Sequence, residues 1–103
     1  MKYRKVGKFG IQVSEVSLGS WLTYGGSIGD DITKKCVHKA FELGINHFDT
    51  ADQYGYGQTY AGAAEESLGK ALQGFPRNSY VLATKTYWPV GEGINDKGLS
   101  RKH

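Results

Sequence analysis

The sequence predicts an α/β fold built from parallel βαβ units and opened by a β-hairpin. Two observations point there. From residue 16 onward, strand-like and helix-like segments alternate as strand, helix, strand, helix, strand, the pattern that right-handed crossovers in a parallel sheet produce. In addition, chemically distinctive residues fall at the C-terminal strand ends: Ser20 and Trp21 close the first strand, Asp49 the second and Lys85 the third.

The elements follow in order. In "KYRKVGKFGIQVS", Tyr3 and Val6 precede and Ile11 and Val13 follow the segment holding Gly7 and Gly10, which reads as a hairpin. "VSLGSW" (16–21) is a short strand, followed by the glycine-rich loop "TYGGSIGDD". In "DITKKCVHKAFELG", Ile32, Cys36, Ala40 and Leu43 recur at helical spacing and Gly44 stands where a helix would stop. That predicts a helix with this stripe buried, Cys36 serving as a small core residue. "INHFD" (45–49) is the second strand, with His47 expected against a neighbouring helix. "AEESLGKAL" (64–72) is the second helix, Glu65 and Glu66 complementing the dipole in its first turn. "YVLATK" (80–85) is the third strand, and the loop "TYWPVGEGINDKG" leads to "LSRKH", where Ser100 reads as the N-cap of a further helix.

Composition bounds the function classes. A chain of 103 residues, 39% hydrophobic and 22% charged, is one ordinary folded unit. No apolar run approaches the roughly eighteen residues of a membrane span, and "MKYRKVGKFG" lacks the apolar core of a secretory signal. The expectation is a cytoplasmic protein with no membrane insertion. Cys36 is the single cysteine, which excludes an intrachain disulfide and a cysteine cluster, and His38 and His47 have no carboxylate or cysteine at metal-site spacing, so no metal is expected. The charge of +3 is spread among acids at 30, 31, 42, 65 and 66, which argues against a nucleic-acid partner.

Doubly wound sheets and (β/α)₈ barrels both begin with such units. A barrel gathers its active site at the C-terminal rim of several strands, where Ser20, Trp21, Asp49 and Lys85 fall. A dinucleotide-binding doubly wound sheet would place G-x-G-x-x-G after its first strand, and neither "GSWLTYGGSIG" nor "YGYGQTYAG" spells it. In "HFDTADQYGYG" the second strand runs into two aspartates, a glutamine and two tyrosines. A tyrosine, ordinarily near pKa 10, donates a proton efficiently near neutrality only where its anion is stabilised, as a lysine held by a carboxylate would do. Tyr54, Lys85 and Asp49 can form such a relay. The plain alternative is a loop-capping Asp49, a packed Tyr54 ring and a solvated Lys85. Trp21, Tyr56, Tyr87 and Trp88 are candidate walls of an apolar pocket, Trp21 foremost.

"FDTADQYGYG", "AEESLGKAL" and "YVLATK", with the opening "YRKVGKFGIQVSEVSLGSW", resemble the N-terminal third of an aldo-keto reductase. "TYGGSIGDD" and "GLSRKH" are particularly similar to the branch containing the β subunits of voltage-gated potassium channels and their bacterial relatives. The resemblance implies a (β/α)₈ TIM barrel, of which residues 1–103 are the hairpin and first three βα units. It also implies NADPH as cofactor and an aldehyde or ketone as small-molecule substrate. Asp49, Tyr54 and Lys85 match three members of the catalytic tetrad, Tyr54 as proton donor. Ser20, Trp21 and Asp49 match cofactor contacts. The fourth tetrad position, histidine or asparagine, belongs to a fourth strand beyond His103, and "YGYGQTYAGAAEE" is longer than the family's usual spacing. A barrel takes about 250 residues, so these units alone leave sheet edges open, and self-association and lack of activity in the isolated chain are expected. A regulatory cofactor-binding subunit and a non-catalytic remnant are the alternatives.

Overall fold

The structure is a computed structural model that describes residues 1–103. Strands β1 (Tyr3–Lys5) and β2 (Gln12–Ser14) pair antiparallel with Arg4 opposite Val13. Gly7 and Gly10 in their connection have φ of 61° and 84°, angles that glycine alone adopts without steric cost. Asn46 joins this hairpin to the rest: its Oδ1 accepts the Ser14 N–H at 2.7 Å and its Nδ2 donates to the Gln12 carbonyl at 3.1 Å.

The second sheet is parallel, in the order β3 (Leu18–Gly19), β4 (His47–Asp49), β5 (Val81–Ala83), crossed by α1 (Asp30–Glu42) and α2 (Ala63–Leu72). Leu18, Phe48 and Leu82 align in one row, Gly19, Asp49 and Ala83 in the next. The strands are shorter than the predicted 16–21, 45–49 and 80–85, because beyond them the pairing thins to single bonds. Ser20 N–H donates to Asp49 O at 3.0 Å, Thr50 N–H to Ala83 O at 2.9 Å and Asp52 N–H to Lys85 O at 3.1 Å. These last rungs carry the strand ends into the rim loops.

Phe48 has no exposed surface and packs in one cluster with Val37 and Ala40 of α1 and Leu68, Ala71 and Leu72 of α2. Its ring lies 5.2 Å from Phe41 and 6.2 Å from Tyr80, and Phe41 stacks on Phe75 at 3.8 Å. Side chains alternate across a strand, so with Phe48 under the helices, His47 and Asp49 project from the opposite face. The expectation that His47 packs on a helix is corrected by this register. The buried stripe of α1 also differs from the predicted one: Thr33, Val37 and Ala40 face inward, while Cys36 is exposed. Thr33 can be buried because α2 presents a hydroxyl to it, with Ser67 Oγ 3.2 Å from Thr33 Oγ1 and donating to Asp30 Oδ1 at 2.7 Å.

The third unit consists of a strand and its loop. No helix forms over 99–103, although Ser100 Oγ accepts the His103 N–H at 3.1 Å, the bond of an N-cap. β3 and β5 are the two edges of the parallel sheet, and no helix is long and apolar enough to cross a membrane.

Candidate active site

Asp49 ends β4, and Lys85 follows β5 by two residues, so alternation sets both on the face away from the helices. Lys85 Nζ donates to Asp49 Oδ2 and to the Thr50 carbonyl, each at 2.7 Å. Both side chains are part-exposed, so solvent screens the pair and its worth lies in placement more than in stability. Partial burial opposes the Lys85 charge, but hydrogen bonding to Asp49 and the nearby Tyr54 phenol outweigh it and raise the lysine pKa. The ammonium is therefore fully charged at neutral pH.

Tyr54 is delivered by the loop after β4. Its N–H donates to Ala51 O and its carbonyl accepts the Ala64 N–H, both at 3.2 Å, which ties it to the first turn of α2. The next residue, Gly55, has φ of 108°, and a Cβ there would stand 2.4 Å from Tyr60 O, so this tight return requires glycine. The Lys85 ammonium stands 5.2 Å from the centre of the Tyr54 ring, and the Trp21 ring stacks with Tyr54 at 6.2 Å. A cation over an aromatic face is electrostatically favourable. Trp21, Tyr54, Lys85, Tyr87 and Trp88 line a cavity of about 710 Å³, within the size range of small-molecule sites.

The structure thus brings Trp21, Tyr54 and Lys85 to one cavity and attaches Asp49 to it through the lysine. Ser20 does not reach the wall. It is buried beside the end of β4, and its Oγ has no hydrogen-bond partner. The part-exposed Asp49 carboxylate and the exposed Trp21 ring suit a ligand that brings both a hydrogen-bonding group and a flat ring. Of the aromatic residues suggested as walls, Tyr87 and Trp88 are on the cavity and Tyr56 is outside it. Thr50 escaped sequence reasoning, since it contributes a backbone carbonyl, which every residue possesses. His103 stands 3.7 Å from Asp52, which lines the cavity, and is not itself on the cavity wall.

The sequence model of the Aldo/keto reductase family matches residues 15–103. The chain belongs to the aldo/keto reductase family. Two solved structures from Pseudomonas aeruginosa, both described as aldo-keto reductases, are similar to it, at 31% and 32% identity with TM-scores of 0.66 and 0.67. In each case 82% of this chain is covered, and the chain spans 31% of the related one. Its hairpin, two complete βα units and third strand are therefore the opening part of a (β/α)₈ barrel. This is an oxidoreductase family that typically uses nicotinamide cofactors. None of these matches bears on the potassium-channel branch.

Proposed function

We propose that the polypeptide carrying these residues reduces aldehydes and ketones to alcohols with NADPH, in the cytoplasm, with Tyr54 as proton donor. The observation that supports this best is the Lys85 ammonium, fixed by Asp49 and Thr50 and placed against Tyr54 on the wall of an aromatic-lined cavity.

In this reading the Tyr54 hydroxyl donates to the carbonyl oxygen of the substrate. As the proton leaves, negative charge grows on the phenol oxygen and the adjacent ammonium stabilises it. Lys85 is already held by two 2.7 Å hydrogen bonds, so little reorganisation accompanies the transfer. The Trp21 ring stands alongside the Tyr54 ring. Ser20 and Asp49 offer the cofactor a hydroxyl and a carboxylate, and Trp21 offers it a ring face. The reduced nicotinamide, when bound, supplies the hydride.

The chain spans 31% of its structural relatives, and by itself it is expected to turn over no carbonyl compound. Its isolated form self-associates through the free edges of β3 and β5, where unpaired backbone groups line up for another strand. The decisive experiment follows NADPH consumption by a polypeptide of the relatives' length with a test aldehyde. Tyr54→Phe is expected to lower kcat by about 10²–10⁴-fold, the usual worth of a positioned acid, with cofactor affinity retained. An unchanged kcat would remove Tyr54 from this role.

A further inference from the structure

The loop of residues 86–98 supplies Tyr87 and Trp88 to the cavity, their rings in edge-to-face contact at 5.2 Å. It is a self-contained unit. Gly98 N–H closes its base on Tyr87 O at 2.7 Å, Val90 N–H donates to Asp96 O at 2.9 Å, and Asp96 Oδ2 accepts the Gly93 N–H at 2.9 Å. These bonds give the loop a shape but leave its tilt over the cavity undetermined.

One hydrogen bond joins this loop to the rest of the molecule: the Tyr56 hydroxyl donates to Glu92 Oε1. Tyr56 sits two residues after Tyr54. On its far side the Tyr54 loop is held to the loop after β3 by Thr59 Oγ1 donating to Gly25 O at 2.8 Å. Gly25 permits this approach, because a Cβ there would lie 2.3 Å from the Ala63 carbonyl carbon. The Tyr54 loop is thus bound to its two neighbours, by Thr59 on one side and by Tyr56 on the other.

We propose that Tyr56 and Glu92 are positioning residues, a latch that sets where the Tyr87–Trp88 wall stands relative to Tyr54 and so limits the size of carbonyl compound the cavity accepts. The limit on substrate size rests on the proposed function; the latch itself does not. A carboxylate acceptor suits the task, since a bond from a phenol to a charged oxygen is stronger than one between neutral groups. Consistently, the hydrogen bond to Glu92, followed by the phenol's partial burial, raises the Tyr56 pKa, so the donor stays protonated at neutral pH.

Amide hydrogen exchange on the whole chain tests the latch without substrate or cofactor. Tyr56→Phe and Glu92→Ala are expected to speed exchange at Val90, Gly93 and Gly98 about fivefold, the worth of one net hydrogen bond, and to shift Trp88 emission in a Trp21→Phe background. Amides of α2 should be unchanged, and Glu92→Gln, which keeps an acceptor oxygen, should restore most of the protection. Unchanged exchange in residues 86–98, equal acceleration in α2, or failure of Glu92→Gln to outperform Glu92→Ala would each overturn the proposal. Because none of these readings needs turnover, a chain that reduces no carbonyl leaves the latch standing, and a mobile loop leaves the Tyr54 chemistry standing.

Discussion

Ser20 is the residue at which stability and binding should move in opposite directions. It is 1% exposed, its N–H is used by Asp49 O and its carbonyl by the Tyr24 N–H, yet its hydroxyl has no partner. A buried polar group left unsatisfied costs about 1–3 kcal/mol. Ser20→Ala removes that group and leaves a gap the size of one oxygen atom, so a net gain of about 1 kcal/mol is expected at the low end of the range. In a domain of this length that is a rise of about 4–8 °C in Tm. Thermal melting followed by circular dichroism at fixed protein concentration reads it. NADPH titration of a polypeptide of the relatives' length should show the converse, a loss of about fivefold in affinity for one forfeited hydrogen bond. A Tm that falls or stays put would show that the hydroxyl is satisfied within the fold. Unchanged NADPH affinity would show that it is not kept for the cofactor.

Three further outcomes are expected. Phe48→Ala, at the fully buried centre of the core, should cost about 3–5 kcal/mol, seen as a large drop in urea midpoint, and a loss below about 1 kcal/mol would mean the core is not packed as described. Asp30 is held below its ordinary 3.8 by the Ser67 hydroxyl and Lys70, and Glu66 below its ordinary 4.5 by Lys70 and Tyr60. Depressed carboxyls stabilise fully above their ordinary values and lose that contribution as pH falls through the lowered ones. Lys70→Met should therefore flatten the acid limb of a stability-versus-pH curve, whereas a limb as steep as the parent's would separate Lys70 from acid stability. Sedimentation of the isolated chain should show association that rises with concentration, and Thr84→Pro, just past β5 at a residue whose N–H has no backbone partner, should weaken it; a monomer throughout would contradict pairing at the edges.

Residue type and short-range pattern were enough for much of this protein. Gly7 and Gly10 marked a turn because positive φ is nearly theirs alone, and both adopt it. Asp49 and Lys85 were legible as neighbours, since two parallel strands end at the same rim and both residues stand at those ends. What only the tertiary structure decided is where a partner on another element makes the difference. The spacing in α1 permits a stripe through Cys36 or one through Thr33, and the Ser67 hydroxyl across on α2 makes the polar one buriable. The face of His47 followed from which neighbour the helices cover, Phe48 being the residue they took. The Thr50 carbonyl and the Tyr56–Glu92 bond carry no sequence signature, because hydrogen bonds between residues 35 or 36 positions apart depend on how the loops meet in space.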